Sequence, residues 1–388
     1  MSRRDPRTLL LANPGADLYG SDRMAIETVR ALTEGGYRVV ATVAGDGPLI
    51  PYLQRAGAEV VICPTPVVRK GLLSVRGLFE LARDTLRSLR PSLRVLRRSE
   101  AGTVLVNTIT PPLWLLLSRV TGRTTVCHVH EGEASVAPLL RHALNAPLAL
   151  THRVIINSRF SADVMTGVAP WLRARTRIVY NAVSGPDRVT PPRPEANAPL
   201  RLVYVGRLSA RKGPHVAVDA LALLRERGLA ATLELVGEVF PGNEAYEQQL
   251  RRSVTDHGLG DAVTFSGFQE AVWERLAAAD VALIPSTVDE PFGNTAVEAA
   301  LAARPAVVSS VGGLPEASRH STATVLVPPG DAVALADAVL RISEEWEQFA
   351  ARAVADADEV ATAFSHEQYG RQIVDVIADG RAVSPAPR

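Results

Sequence analysis

Leu200-Arg-Leu-Val-Tyr-Val-Gly-Arg-Leu-Ser-Ala-Arg-Lys-Gly-Pro214 is the stretch on which the fold turns. Its first six residues form a near-continuous apolar run. That length suits a strand, and that apolarity suits burial on both faces of a sheet. Gly206 ends the run. Pro214 fits the first turn of a helix, where its missing N–H costs nothing, and a helical pattern continues to Arg227. Strand, loop and helix in this order are the start of a βαβ unit and point to a parallel sheet. The loop sets Arg207 and Lys212 beside a helix N-terminus, where unpaired N–H groups favour anions. Arginine can grip phosphate with two parallel hydrogen bonds and lysine acts as a compact point charge, so the pair suits a diphosphate. Equally, both side chains could project into solvent from a surface loop.

The same alternation runs outward in both directions. Before this stretch, short β-branched runs fall at Thr8–Ala12, Arg38–Val43, Glu59–Ile62, Thr103–Val106, Thr124–Val129 and Arg153–Ile156. From it onward they fall at Leu200–Val205, Thr232–Val236, Val263–Phe265, Asp280–Ile284, Ala306–Ser309 and Ala323–Val327. Between the two series lies Ser184-Gly-Pro-Asp-Arg-Val-Thr-Pro-Pro-Arg-Pro-Glu-Ala-Asn-Ala-Pro199, too rich in proline for a regular helix or a central strand. The expected class is α/β, with two Rossmann-like doubly wound domains at 1–184 and 200–364, joined by a linker at 185–199. A last helix over 365–380 is expected to pack back on the first domain, with 381–388 as a tail in which Ser384-Pro-Ala-Pro-Arg388 is disordered. Ligands of open parallel sheets sit at the carboxyl ends of the strands, which in such a chain can face each other across a central cleft.

Composition narrows the classes further. The chain has 388 residues, 47% hydrophobic and 21% charged, in the range of a globular protein of two domains. No apolar run reaches the roughly 18 residues that span a bilayer. Met1-Ser-Arg-Arg-Asp-Pro6 lacks the form of a signal peptide, and Cys63 and Cys127 fit no metal spacing, so a reduced, cytoplasmic setting is expected. Net charge is +1, but residues 1–190 hold 25 Arg/Lys against 14 Asp/Glu, whereas 191–388 hold 17 against 27. The first half is therefore expected to meet something anionic. Lys70 and Lys212 are the only lysines, against forty arginines, which singles out a lysine in a candidate phosphate loop.

A second loop follows Asp280–Ile284. It reads Pro285-Ser-Thr-Val-Asp-Glu-Pro-Phe-Gly-Asn-Thr-Ala-Val-Glu298. Pro291 and Gly293 prevent a helix before Asn294, and Asn294 or Thr295 is expected to cap one running to about Ala303. Glu290 is then a loop residue, free to hold a sugar. Glu298 lies about one turn into the helix and could accept hydrogen bonds from two vicinal hydroxyls of a ribose. Taken alone, Glu298 could as well be an exposed helix residue.

Together these loops are far more specific. Gly206-Arg-Leu-x3-Lys-Gly213, then Glu290-Pro-Phe-Gly-x4-Glu298, then Gly312-Gly-Leu-Pro-Glu316 resembles the retaining family 4 glycosyltransferases. Asn157-Ser-Arg159, Val179-Tyr-Asn-Ala182, Leu235-Val-Gly237 and Phe265-Ser-Gly267 extend the likeness over most of the chain. The resemblance implies the two-domain GT-B fold with a nucleotide-sugar donor, UDP- or GDP-linked, in its cleft. It assigns Arg207 and Lys212 to the diphosphate, Glu298 to the ribose, Glu290 to the donor sugar near the reacting centre, and backbone amides at Gly293, Asn294 and Thr295 to sugar and phosphate. Phe268, beside Gly267, would approach the base.

In the first half, Asn13-Pro-Gly-Ala-Asp-Leu-Tyr-Gly-Ser-Asp22 follows the first strand. Ser21 can cap the next helix, and Gly20 leaves room for a ligand at the backbone or simply makes a turn. The family carries adjacent glycines here, which this chain separates. The strand Thr124–Val129 ends in His128-Val-His130-Glu131, with both histidines on one face. The family has a histidine at this strand end that reaches the donor sugar, and His130 matches it. The His-x-His-Glu spacing fits no strong metal motif.

From Arg69 to Arg98 nine cations stand against Glu80 and Asp84, while Val75, Leu78, Phe79, Ala82, Leu86, Leu89, Leu93 and Leu96 recur at helical spacing. Such a helix can pack its apolar face on the sheet and leave its arginines solvated. It can also dock on anionic lipid, at about 1 kcal/mol per cation near the surface. Peripheral binding to the inner membrane face and a lipid-linked or glycan acceptor are expected. Nucleic acid is not, for want of aromatic or recognition motifs. The resemblance implies transfer with retention, by a same-face displacement. No Asp-x-Asp loop is present, so neither cofactor nor metal is expected. Rival readings are a glycosyltransferase of small natural products, a nucleotide-sugar epimerase on the same scaffold, and a catalytically dead binding scaffold.

Overall fold

The structure is a computed structural model that describes residues 4–18, 20–68, 75–132 and 138–382. The chain forms two compact units, one of residues 1–182 with 366–388 and the other of 183–365.

The first unit is built on seven strands: β1 (Asp5–Ala12), β2 (Arg38–Val43), β3 (Glu59–Ile62), β4 (Ala101–Asn107), β5 (Thr124–Val129), β6 (Arg153–Ile156) and β7 (Thr176–Ile178). All pair in parallel, in the order β3-β2-β1-β4-β5-β6-β7. Leu9, Leu10, Leu11 and Ala12 are all fully buried, and they alternate between two cores. Leu9 and Leu11 pack with the C-terminal helix His366–Ala382 through Tyr369, Ile373, Val376 and Ile377. Leu10 and Ala12 pack with Trp114, Leu96 and Met165 on the other face. A strand covered on both sides needs apolar residues at every position, hence the unbroken run in its sequence. Each fully buried aliphatic side chain contributes about 1.5–3 kcal/mol.

The second unit has six parallel strands: β8 (Leu200–Val205), β9 (Ala231–Val236), β10 (Val263–Gly267), β11 (Val281–Ile284), β12 (Ala306–Ser309) and β13 (Thr324–Val327). Their order is β10-β9-β8-β11-β12-β13. In both sheets the direction of winding reverses beside the first strand, between β1 and β4 and between β8 and β11. These are the topological switch points where crevices open at strand carboxyl ends.

Four expectations need correction. The proline-rich stretch is not a free linker, because residues 183–199 belong to the second unit. Arg193 binds the fully buried carboxylate of Asp280, which Arg201 also holds, and the indole N–H of Trp346 donates to the Arg193 carbonyl at 2.9 Å. A buried aspartate requires such partners, and they tie the stretch down. The basic helix spans Val75–Arg98, and its apolar stripe divides. Leu89, Leu93 and Leu96 pack on the core, whereas Phe79 and Leu86 are 73% and 69% exposed. Ser21 is no cap, since the helix Gly20–Glu34 already includes it. Nor do Asn294 or Thr295 cap theirs: Gly293 holds the cap position of the helix Asn294–Leu301. Residues 69–74 of the basic segment, and the tail from 383, lie outside the described residues. Among the described residues no helix is long and apolar enough to cross a membrane.

Candidate active site

The loops after β8 and β11 lie side by side because their strands do, with Val281 opposite Leu202 and Leu283 opposite Tyr204. Hydrogen bonds stitch them together. The backbone N–H of Thr287 donates to the Arg211 carbonyl at 2.9 Å, and its hydroxyl donates to the Ala210 carbonyl at 2.9 Å. The Arg211 guanidinium returns a bond to the Asp289 carbonyl at 2.9 Å. The approach is so close that glycine is required at 213. There φ is +72°, and a Cβ would lie 2.0 Å from the Pro285 carbonyl oxygen. This left-handed Gly213 caps the helix Pro214–Glu226, whose start at Pro214 is the one the sequence predicts.

Glu290 sits in the middle of this structure. Its residue is 7% exposed, and Lys212 places its ammonium 2.6 Å from Oε2. Sequence reasoning gave these two residues separate tasks and left Glu290 free; the structure pairs them. A carboxylate so buried needs a counter-ion, and Lys212 is the one in reach. Burial by itself would raise the Glu290 pKa, but Lys212, then Arg211, then Arg207 more than offset it, so the carboxyl stays below its ordinary value and charged. The backbone of Glu290 is fixed from the other side, where the Gly313 N–H donates to its carbonyl at 2.7 Å. Gly312 packs flat on it, and a Cβ there would lie 2.3 Å from the Glu290 carbonyl oxygen. The Gly312-Gly313 pair therefore serves to bring β12's loop onto Glu290.

Around this centre stand the other expected residues of the second unit. Arg207 places its guanidinium carbon over the Phe240 ring, 3.3 Å from its centroid, and its carbonyl accepts from the buried Tyr204 hydroxyl at 2.7 Å. Asn294, Thr295 and Glu298 are half-buried on the first turns of their helix. Gly293, at φ +108°, leads into that helix with its backbone packed against Leu314. Phe268 is 52% exposed and its N–H donates to Oε1 of Glu238 at 3.1 Å. Beside it a cavity of about 270 Å³ is lined by Leu208, Gly237, Glu238, Phe265 and Gly267 among others. The structure thus brings Arg207, Lys212, Glu290, Gly293, Asn294, Thr295, Glu298 and Phe268 to the carboxyl edge of one sheet. Sequence reasoning missed Arg211, Glu238 and Phe240. Arg211 stands next to Lys212 in the same loop, so a count of every cation there would have found it.

The first unit holds the remaining expected residues. Gly20 opens its helix on the surface, with nothing within 4 Å of where a Cβ would stand. His130 follows β5 and binds Oδ1 of Asn107 through Nε2 at 2.8 Å. Burial lowers its pKa to about 4, so the ring is neutral at pH 7. His128, fully buried, lies 4.0 Å away between ring centroids, on the same face as strand alternation requires. Among the described residues no group of three His, Cys, Asp or Glu side chains could hold a metal ion. Sequence reasoning did not identify Asn107 or Asp22, which join His130 in one polar cluster.

Comparison with known proteins agrees with this architecture in both units. Residues 19–184 match the family described as Glycosyltransferase Family 4, and residues 191–359 match Glycosyl transferases group 1. The amylovoran biosynthesis glycosyltransferase AmsK of Erwinia amylovora is 32% identical over 186 residues, which is 46% of this chain and 44% of that protein. The 2-deoxystreptamine glucosyltransferase of Streptomyces kanamyceticus is 28% identical over 363 residues, 81% of this chain and 87% of that one. Against several relatives, AmsK among them, the alignment spans less than half of the relative's length. Among solved structures, Anabaena Alr3699/HepE in complex with UDP-glucose has a TM-score of 0.79 at 21% identity, over 96% of this chain and 99% of that one, a likeness of fold. Its first half matches the family 4 model and its second half the group 1 model, both of them glycosyltransferase models, and its two Rossmann-like domains are of the GT-B kind, so the chain is a glycosyltransferase.

Proposed function

We propose that the protein moves a sugar from a nucleoside-diphosphate sugar to a hydroxyl acceptor with retention of anomeric configuration. One observation carries this reading: three cations, Arg207, Arg211 and Lys212, act on one buried carboxylate, Glu290, at the switch point of the second sheet. A diphosphate bound there meets two of those cations, Arg207 and Lys212, and the first turn of the helix that begins at Asn294. Glu298 holds the ribose, Phe268 the base and Glu290 the donor sugar. As the sugar–phosphate C–O bond breaks, the new C–O bond forms on the same face. The acceptor proton passes to the leaving phosphate oxygen, whose charge the cations stabilise. They also carry the load that a divalent ion would otherwise bear, so turnover is expected to survive chelators. His130, a neutral imidazole, contacts a hydroxyl of the sugar.

The acceptor we assign is an anionic or lipid-linked glycan intermediate, of the kind used in polysaccharide synthesis. The excess of cations in residues 1–190 supports it, as does the role that AmsK's name states. A small aminocyclitol is the second reading, favoured by the long alignment to the 2-deoxystreptamine enzyme. Such an acceptor is itself cationic at pH 7 and gains nothing from a basic surface. The exposed Phe79 and Leu86, set among Arg83, Arg87 and Arg90 on one helix, suit the anionic face of a membrane.

A thermal-shift screen against UDP- and GDP-sugars identifies the donor, since a ligand of the native state raises its apparent stability. Turnover with that donor then tests the roles. Glu290→Ala is expected to abolish transfer and Lys212→Ala to weaken donor use sharply. Near-normal turnover in both variants, or a product of inverted configuration, overturns the proposal.

A further inference from the structure

The first unit carries a chain of polar side chains at its own switch point. Asn13 follows β1, Asn107 ends β4, His130 follows β5, and Asp22 lies in the first turn of the helix Gly20–Glu34. All but His130 are at least nine-tenths buried. The direction of every bond in the chain can be deduced from its far end. Nδ2 of Asn13 donates to Oδ1 of Asp22 at 2.9 Å and to the Gly15 carbonyl at 3.0 Å. The Gly15 carbonyl can only accept, so the Asn13 amide has one orientation. Its Oδ1 must then accept, and Nδ2 of Asn107 supplies that bond at 2.6 Å. The same Nδ2 gives its second hydrogen to the Ser21 carbonyl at 3.0 Å. Oδ1 of Asn107 is left facing Nε2 of His130 at 2.8 Å, and the only hydrogen available to that contact is the imidazole's own.

The imidazole carries a single proton. Burial holds its pKa at about 4. The ring of His128, whose two nitrogens have no partner among the described residues, is packed against it. Nδ1 of His130 is consequently a bare lone pair, without a protein hydrogen bond among the described residues.

We propose that Asp22, Asn13 and Asn107 are positioning residues that hold His130 as the Nε2–H tautomer, so that Nδ1 faces the ligand as an acceptor for a sugar hydroxyl. The hydroxyl rests on the transfer reading above; the tautomer does not. An unanchored imidazole could offer Nδ1 as donor or acceptor, and the part of its population with the proton on Nδ1 would present the wrong atom to a hydroxyl already committed as donor.

Two measurements on the full-length protein test this. With ¹⁵N-labelled histidine, His130 is assigned by comparison with His130→Gln, and its nitrogens are followed by NMR at neutral pH. The wild type is expected to show Nε2 protonated and Nδ1 bare, and Asn107→Ala a mixture of tautomers. A proton on Nδ1 in the wild type overturns the proposal without recourse to any variant, as does an unchanged tautomer in Asn107→Ala. Kinetics with a series of monodeoxy donors is the second measurement. One deoxy position is expected to lower kcat/KM about tenfold in the wild type, with the loss absent in His130→Gln and reduced in Asn107→Ala. Equal losses in all three proteins overturn the hydroxyl contact. A protein that shows the Nε2–H tautomer but transfers no sugar overturns the transfer reading and leaves the anchor standing.

Discussion

The ammonium of Lys212 lies 2.6 Å from Oε2 of Glu290, and the two residues come from loops that follow different strands. That contact makes Glu290 an internal competitor for the cation that a donor diphosphate would use. An entering phosphate must share Lys212 with a carboxylate already in place. Removing the carboxylate charge frees the cation. Glu290→Gln is therefore expected to bind UDP or GDP about three- to tenfold more tightly than the wild type while losing turnover. Isothermal titration calorimetry reads the affinity and a transfer assay the rate. Weaker nucleotide binding by Glu290→Gln would sink this account of the pair.

The pair also ties stability to pH, with a definite sign. The folded-state pKa of Glu290 lies below the ordinary carboxylate value of 4.5 because the nearby cations outweigh burial. Its stabilising contribution is fully present above that ordinary value and is lost as pH falls through the depressed folded value. Urea unfolding of the wild type should thus lose stability from about pH 5 downward more steeply than that of Glu290→Gln. Parallel curves for the two proteins would show that the carboxyl titrates normally.

Residue 213 admits a sharp steric prediction. A Cβ there would stand 2.0 Å from the Pro285 oxygen, in a backbone with φ +72°. Gly213→Ala must push the two site loops apart, at a cost of about 2 kcal/mol or more. Gly20→Ala meets nothing within 4 Å at a helix start and is expected to stay within about 1 kcal/mol of the wild type. Thermal melts compare them directly. A Gly213→Ala protein as stable as Gly20→Ala would mean that the close approach of the loops is not maintained in solution.

These cases also mark which parts of the molecule could be foreseen. β8 and its loop were legible because a strand buried on both faces writes every residue apolar, and because Gly206, Gly213 and Pro214 punctuate the loop and the start of the next helix. β7 was not, since Thr176-Arg-Ile178 is a three-residue edge strand with two exposed members and no apolar pattern. Lys212 and Glu290 could each be found from local spacing. Their contact could not, because it depends on β8 lying next to β11 although β9 and β10 intervene in the chain. Asn107 is a polar residue at the end of an apolar run, which ordinarily marks only where a strand stops. Its partners lie 94 and 23 positions away. The proline-rich stretch misled for a related reason. Arg193 and Asp280 are 87 positions apart, and composition alone cannot show that a loop is pinned.

The helix Val75–Arg98 gives the last prediction. Helical spacing assigned Phe79 and Leu86 to the same stripe as Leu93 and Leu96, yet only the latter two reach the core. Phe79 and Leu86 contribute little to folding where they stand, so Phe79→Ser with Leu86→Ser should leave the melting temperature close to that of the wild type. On anionic vesicles the same two side chains could insert, each worth about 1–3 kcal/mol, beside arginines worth about 1 kcal/mol apiece. The double variant is expected to lose at least about tenfold in co-sedimentation with such vesicles. Wild-type binding should weaken as salt rises, because only the arginine share is screened. If the variant sediments with vesicles as the wild type does, or if the wild type does not bind them at low salt, the exposed face has no lipid role.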